Sequence, residues 1–594
     1  MNMEIIIKDK FAEAFSELYS HSIDKNTIAI QETRKEFEGD FTVNVFPFVR
    51  FAKSKPEELA NKLGEYFVNN IPDVKSFNVI KGFLNLSIKS SYWLDIAKEA
   101  TKNSNYGFEL ANENAAPIVI EYSSPNTNKP LHLGHIRNNL LGFSIAEILE
   151  ASGKNVKKVN LVNDRGIHIC KSMLAWQKHG NGETPETNGE KGDHLVGKYY
   201  VQFDKDYKVE IAELIANGKT EKEAKAEAPI IKEAQQMLRD WEAKEPQVYK
   251  LWETMNAWVY AGFDVTYKKL GVDFDKIYYE SETYLLGKDV VNKGFKDGVL
   301  YQKEDGSIWA NLEDKGLDQK LLLRSDGTSV YMTQDIGTAQ LREIDYSPEK
   351  MLYVVGNEQN YHFEVLTLVL EKLGFDWASK IHHISYGMVE LPHGKMKSRE
   401  GTVVDADDLI DGIVADAKRL TSESGKIDNL SDSEADKLYY QVGMAALKFF
   451  ILKVDPKRKM LFNPEESIDF NGNTGPFVQY AYARIQSIMR KAKDAEFGSW
   501  DNTLSINEKE SSLLRIIYNY PSVVQVAANN YSPAIIASYA YDLAKEYNQF
   551  YHDNHIMNES DRDKAAFRLD LSKLTGDIIK SSMSLLGIEV PNQM

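Results

Sequence analysis

Two histidines three residues apart, His132 and His135, close the stretch IVIEYSSPNTNKPLHLGHIR that runs from Ile118 to Arg137. At that spacing two imidazoles share one face of a first helical turn. The unpaired N–H groups and positive dipole end of such a turn attract phosphate. The elements around them fit that use. Ile118 to Tyr122 is short, apolar and rich in β-branched residues, as a buried strand requires. The turn formers from Ser123 to Pro130 stop it. From Leu131 the apolar residues Leu133, Ile136, Leu140 and Phe143 keep helical spacing, and Gly153 closes the helix. Gly134, between the histidines, leaves room for a planar ring or a phosphate to approach the backbone. The competing reading is an incidental pair of histidines at a helix start.

Further chemistry-bearing residues stand where later strands should end. VKKVNLV leads to Asn163, Asp164 and Arg165, and VDFDKIYY leads to Glu280. Open parallel sheets bind ligands at such carboxyl ends. Tyr331 and Asp335 are four apart, on one face if a helix has begun by then. MLYVVGNEQNYHFEV repeats the strand–glycine–helix layout and supplies Gly356, Glu358 and His362. A carboxylate there can accept from both hydroxyls of a ribose. The glycine-flanked loop HGKMKSREG carries Lys395, Lys397 and Arg399, which in isolation also fit an ordinary solvated turn.

His-x-Gly-His after a strand and a Pro-Asn turn resembles the His-Ile-Gly-His signature of class I aminoacyl-tRNA synthetases. The longer EYSSPNTNKPLHLGH is similar to its arginyl-tRNA synthetase form. The resemblance implies that His132, Gly134 and His135 bind ATP and that the histidines stabilise charge on its α-phosphate. Gly356, Glu358 and His362 resemble the Gly-x-Asp-x-x-x-His pattern of class I enzymes, with Glu for Asp. The basic loop resembles Lys-Met-Ser-Lys-Ser: Lys395 and Met396 match, whereas Ser398 falls on the second lysine and Lys397 on a serine. Members of the arginyl family that lack this lysine carry one just before the first signature, where Lys129 stands. A lysine on a flexible stem can reach a phosphate from a neighbouring loop. Lys397 is the alternative, and the two stay open.

A guanidinium is planar and always charged, so a selective pocket needs carboxylates in its plane. FDKIYYES, YMTQDIG and EQNYHF resemble arginyl-enzyme motifs. By that resemblance Glu280, Tyr331 and Asp335 grip the arginine side chain, and Asn126 and Gln359 hold its α-amino end.

The 594 residues predict three to five domains. With 43% hydrophobic and 27% charged residues the composition is that of a globular protein, and no run of eighteen apolar residues predicts a membrane span. No secretory cleavage pattern opens the chain, and a single cysteine, Cys170, excludes an internal disulfide and any multi-cysteine zinc site. A cytoplasmic protein is expected. The net charge of −17 argues against a nucleic-acid partner unless a local basic face exists. One candidate lies near the C-terminus: Lys453, Lys457, Arg458, Lys459, Arg484, Arg490, Lys491 and Lys493, with Phe477, Tyr480 and Tyr482 among them as base stacking would want. An aromatic helix face is more often core.

The expected fold class is multidomain α/β. A Rossmann-like parallel-sheet catalytic domain with a helical insertion stands between a small α/β N-terminal domain and an all-α C-terminal domain. The boundaries read as follows: residues 1–110 form the N-terminal domain, by resemblance a tRNA-elbow contact; 111–385 the catalytic domain, with the insertion about 180–258; 386–434 the signature loop and connection; and 435–594 the helical domain. LKFFILKVDP, IDFNGNTGPFVQYAYARIQSIMRKA and LLGIEVPNQM resemble the anticodon-binding domain of arginyl-tRNA synthetases. The implied function is ATP-dependent activation of L-arginine and its transfer to tRNA-Arg, with Mg2+ arriving on ATP, no protein-bound structural metal, no membrane partner and a monomeric state. The rivals are a small-molecule adenylyltransferase, which has no use for the helical third, and a silent tRNA-binding paralogue, which would lose the site.

Overall fold

Helix α1 (Met3–Tyr19) buries Met3, Ile7, Phe11 and Phe15 on one stripe and is capped by the Asn2 side chain, which accepts from Glu4 N. Strands β1 (Ile30–Glu32) and β2 (Phe41–Asn44), helix α2 (Pro56–Asn70), strands β3 (Val74–Ile80) and β4 (Phe83–Ile88), and helix α3 (Ser90–Lys102) follow. The four strands form an antiparallel sheet in the order β1-β2-β4-β3. Gly64 lets α2 lie on this sheet, since a β-carbon there would sit 2.3 Å from the Phe77 ring.

Strand β5 (Ile118–Glu121) is buried at every residue. Next come α4 (Leu133–Ala151), β6 (Val156–Val162), α5 (Ile167–His179), and the insertion helices α6 (Gly192–Ala216), α7 (Pro229–Glu242) and α8 (Pro246–Leu270). The chain rejoins the sheet at β7 (Lys276–Tyr279) and continues through α9 (Leu286–Lys296), β8 (Tyr301–Gln302), β9 (Ile308–Ala310) and β10 (Lys320–Leu323). Then follow α10 (Tyr331–Tyr346), β11 (Lys350–Gly356), α11 (Asn360–Lys372), β12 (Ile381–Tyr386) and β13 (Val389–Glu390). A five-stranded parallel sheet runs β12-β11-β5-β6-β7. The chain winds outward from β5 in one direction and from β11 in the other, so the topological switch point lies between these two neighbours, where such sheets bind nucleotides. The small antiparallel sheet β10-β9-β8 has no counterpart in the sequence reading, because strands of two to four residues are too short to show alternation.

Among the described residues beyond β13, the only strand is β14 (Met460–Leu461), which pairs with β13, and the other regular elements are helices. The main helices are α12 (Ala406–Glu423), α13 (Asp432–Leu452), α14 (Gly475–Ala492), α15 (Glu508–Asn529), α16 (Pro533–Asp553) and α17 (Arg562–Ser584). Pro476 is the second residue of α14. Tyr482 is buried at 5% exposure and belongs to the core, whereas Phe477 is half-buried and packs on Tyr541.

The computed structural model describes residues 2–34, 36–390, 404–423, 430–469 and 471–594. Two compact units emerge. One comprises Met1–Tyr106, Arg484–Pro521 and Asp542–Ile579; the other comprises Gly107–Ala483, Ser522–Tyr541 and Lys580–Met594 and holds the parallel sheet. No helix among the described residues is long and apolar enough to cross a membrane.

Candidate active site

The turn after β5 is strained and pinned. Ser123 and Ser124 both have positive φ, at 81° and 46°, which costs about 1–3 kcal/mol each for residues with a β-carbon. Asn138 on α4 accepts from Ser123 N at 2.5 Å, and Asn160 on β6 accepts from Ser124 N at 3.0 Å. Asn138 also donates to the Val354 carbonyl at 2.6 Å, so one buried side chain joins the ends of β5 and β11. The loops beyond β5 and β6 stay paired, with Asn163 N on Pro125 O and Thr127 N on Asn163 O, which sets exposed Asn126 beside Asn163. Gly142 brings α4 onto the strand end, since a β-carbon there would lie 2.3 Å from the Tyr122 side chain.

The two signature histidines close the helix start themselves. His132 is the N-cap of α4, and its Nδ1 accepts from Gly134 N at 3.1 Å. His135 returns the contact, its Nδ1 accepting from His132 N at 3.2 Å. This is a capping box built of imidazoles. The space left by Gly134 is taken by the His132 ring, whose Cε1 would lie 2.9 Å from a β-carbon. Both Nδ1 atoms act as acceptors, so each ring carries its hydrogen on Nε2. Burial, and after it the Lys129 charge, pushes His132 down to about 4. His135 is held well below the usual imidazole range by burial, by His132 and by Lys129. At neutral pH the ring pair, with centroids 4.0 Å apart, is two uncharged N–H donors. Lys129 and His132 line one cavity of about 260 Å³ together with His194, Lys198 and Asp405.

On the neighbouring strand, Gly356 ends β11 and Glu358 and Gln359 lie exposed in the following turn. His362, in the first turn of α11, has its Nε2 2.5 Å from Asp335 Oδ2. Asp335 is one turn into α10, and Tyr331 opens that helix at 76% exposure. The backbone of α10 touches that of α9: a β-carbon on Gly287 would fall 1.6 Å from the Thr333 carbonyl, and one on Gly337 would fall 2.5 Å from Gly287 N. Glu280 follows β7 and is 7% exposed. Burial raises its carboxyl to about 7 against the opposing pull of Arg165, and Asp164 and Asp335 add to the rise. The Arg165 guanidinium lies 3.9 Å from Glu280, bonds Glu242 at 2.9 Å and stacks on Tyr284.

Two supports differ from what the sequence suggested, which placed Asp164 at a ligand-binding strand end and did not single out the second. Asp164 is buried and accepts from Ser281 N, Ser281 Oγ and Tyr260 OH, which fixes β6 to the turn that carries Glu280. Arg342 and Glu121 form a buried ion pair, with the guanidinium between the Tyr278 and Tyr353 rings. A charged Glu inside an apolar strand was the available signal for the second. Lys395, Met396 and Lys397 lie outside the described residues.

Three family models cover most of the chain. The model described as tRNA synthetases class I (R), catalytic domain, matches residues 98–463; the DALR anticodon binding domain matches 478–594; and the arginyl tRNA synthetase N terminal domain matches 6–88. The chain belongs to the arginyl-tRNA synthetase family. The arginine--tRNA ligase of Bacteroides thetaiotaomicron is 57% identical over 580 residues, 97% of either chain. That of Flavobacterium psychrophilum is 56% identical over 609 aligned positions, all of both. Among solved structures, the Thermus thermophilus arginyl-tRNA synthetase has the same fold, with a TM-score of 0.79 at 22% identity over the whole of both chains. Membership of the arginyl-tRNA synthetase family agrees with the sheet order and with the site's place at the switch point.

Proposed function

We propose that the chain activates L-arginine with ATP and transfers it to tRNA-Arg. The arginine carboxylate attacks the α-phosphorus and diphosphate leaves. A hydroxyl of the terminal ribose then takes the arginyl group from the adenylate and releases AMP. The observation that carries this reading is the reciprocal imidazole cap, which offers two neutral N–H donors at a helix N-terminus beside the switch point. Neutral donors stabilise charge that grows on phosphate oxygens without a proton moving.

His132, His135, Lys129 and Lys395 are assigned to the phosphates. Gly134, Gly356, Glu358, His362, Met396 and Lys397 are assigned to the rest of ATP. Glu280, Tyr331 and Asp335 take the guanidinium, and Asn126 and Gln359 the α-amino end. Mg2+ arrives with ATP as part of the substrate. Residues 1–110 and 435–594 are assigned to tRNA contact, the latter at the anticodon. The enzyme acts in the cytoplasm as a monomer.

Charging of tRNA with labelled arginine tests the reading. Transfer that needs ATP, arginine and tRNA together supports it. Adenylation of another small molecule, or tRNA binding with no transfer, refutes it.

A further inference from the structure

The turn that carries His132 is tied to a segment far along the chain. Leu133 N donates to the Val404 carbonyl at 3.2 Å, and Ala406 N donates to the Leu131 carbonyl at 3.0 Å. His132 and Asp405 thereby form an isolated antiparallel bridge. Asp405 also caps α12, accepting from the N–H groups of Asp407 at 2.8 Å and Asp408 at 3.2 Å. Its backbone therefore holds the signature turn while its carboxylate holds a helix start.

A cluster of ion pairs fixes this segment from the insertion side. His194, on α6, has its Nε2 3.3 Å from Asp405 and 3.4 Å from Asp407. Lys191 lies 2.5 Å from Asp407 and 2.9 Å from the fully buried Asp193. Lys269, from the end of α8, adds a contact to Asp407 at 3.3 Å and one to Asp411. The facing carboxylates draw His194 up to about 10, so the ring is cationic at neutral pH. Burial opposes ionisation of Asp407, yet His194 and Lys191 hold it well below the usual carboxylate range.

Ligand atoms of Asp193, His194 and Asp407 come within 4.8 Å of one another, a spacing that a divalent ion can use. The Lys191 ammonium already stands among those carboxylates. The cluster is an ion-pair network with its own cation.

We propose that His194 is a positioning residue for adenylation: by neutralising and holding Asp405 and Asp407, it fixes the backbone segment that sets the orientation of His132. This inference rests on the functional reading given above. Misplacing a group in a phosphoryl site by about 1 Å can cost a hundredfold in rate. Asp405 also acts on His132 electrostatically, alongside Lys129, so an unneutralised Asp405 favours the charged imidazole over the neutral donor.

The test is arginine-dependent pyrophosphate exchange by the full chain, with tRNA present throughout. His194→Gln is expected to lower the maximal rate about ten- to a hundredfold and to leave the arginine KM within about twofold. His194→Lys, which keeps a cation facing the two carboxylates, is expected to recover most of the loss. Asp405→Asn should lower the rate similarly, and the double variant should be no worse than the poorer single, as for two members of one unit. If His194→Gln loses its helical circular dichroism, Asp405→Asn and the lysine variant carry the test. Wild-type rates in both single variants, multiplicative losses in the double variant, or equal losses in the glutamine and lysine variants would overturn the proposal. A wild-type chain that exchanges no pyrophosphate with arginine refutes the functional reading instead.

Discussion

His362 and Asp335, side chains that the family resemblance assigns to different substrates, share a hydrogen bond of 2.5 Å between Nε2 and Oδ2. In the proposed assignment the link couples the ribose side of the site to the guanidinium side through two helix starts. Asp335→Asn is therefore expected to raise the arginine KM roughly thirtyfold. That is the low end of the cost of removing a charged partner, about 2 kcal/mol, because the Asp335 side chain is a third exposed. The ATP KM should rise several-fold in the same variant. Pyrophosphate exchange measures both, and an unchanged ATP KM would make the link incidental.

Glu280 carries a pH signature. Its carboxyl stands at about 7 in the folded chain, against an ordinary value near 4.5. An acid raised on folding contributes stability that is fully present below the unfolded value and lost as pH rises through about 7. In the proposed pocket arginine would reverse the preference, since a cation beside Glu280 favours the ionised form. Binding of arginine at pH 7 should release about half a proton. Calorimetry in two buffers of different ionisation enthalpy reads this release, and Glu280→Gln should abolish it. Release that persists in Glu280→Gln places the proton elsewhere.

Lys129→Ala should lower the rate of adenylate formation about a hundred- to a thousandfold, the range for losing one charge-stabilising contact, and leave arginine half-saturation nearly intact. Lys129 already acts on both signature histidines. Lys397→Ala is the matched control. A large loss with Lys397→Ala and a small one with Lys129→Ala reverses the assignment.

The Arg342–Glu121 pair sets a stability test. Arg342→Met leaves the buried Glu121 carboxyl without its ion-pair partner, a defect worth about 3–5 kcal/mol. Urea unfolding followed by circular dichroism should show this loss, and adding Glu121→Gln should restore part of it. A single variant as stable as the parent would mean that the pair adds no net stability.

The parallel sheet was legible because each of its strands ends in a recognisable change of pattern: IVIE into a Ser-Ser-Pro turn, VKKVNLV into Asn-Asp-Arg, MLYVV into Gly356. For the candidate site, the chain positions of His132, His135, Glu280 and Asp335 could be read from strand ends and helical spacing. Their mutual contacts could not. The capping role of both imidazoles depends on rings folding back over a helix start, and the Asp335–His362 link on two helices meeting in space. Asn138 and Asn160, which hold the strained serines, look in sequence like any polar residues on a helix and a strand.

The backbone contact between α9 and α10 bears on selectivity. Gly287 and Gly337 leave no slack between these helices, so α10 has nowhere to retreat. In the proposed pocket, Asp335 stands on that helix as a hard stop. In that reading, a basic side chain longer than arginine would meet a carboxylate whose helix cannot yield. In the proposed pocket the length gauge would thus be written in two residues that have no side chains at all.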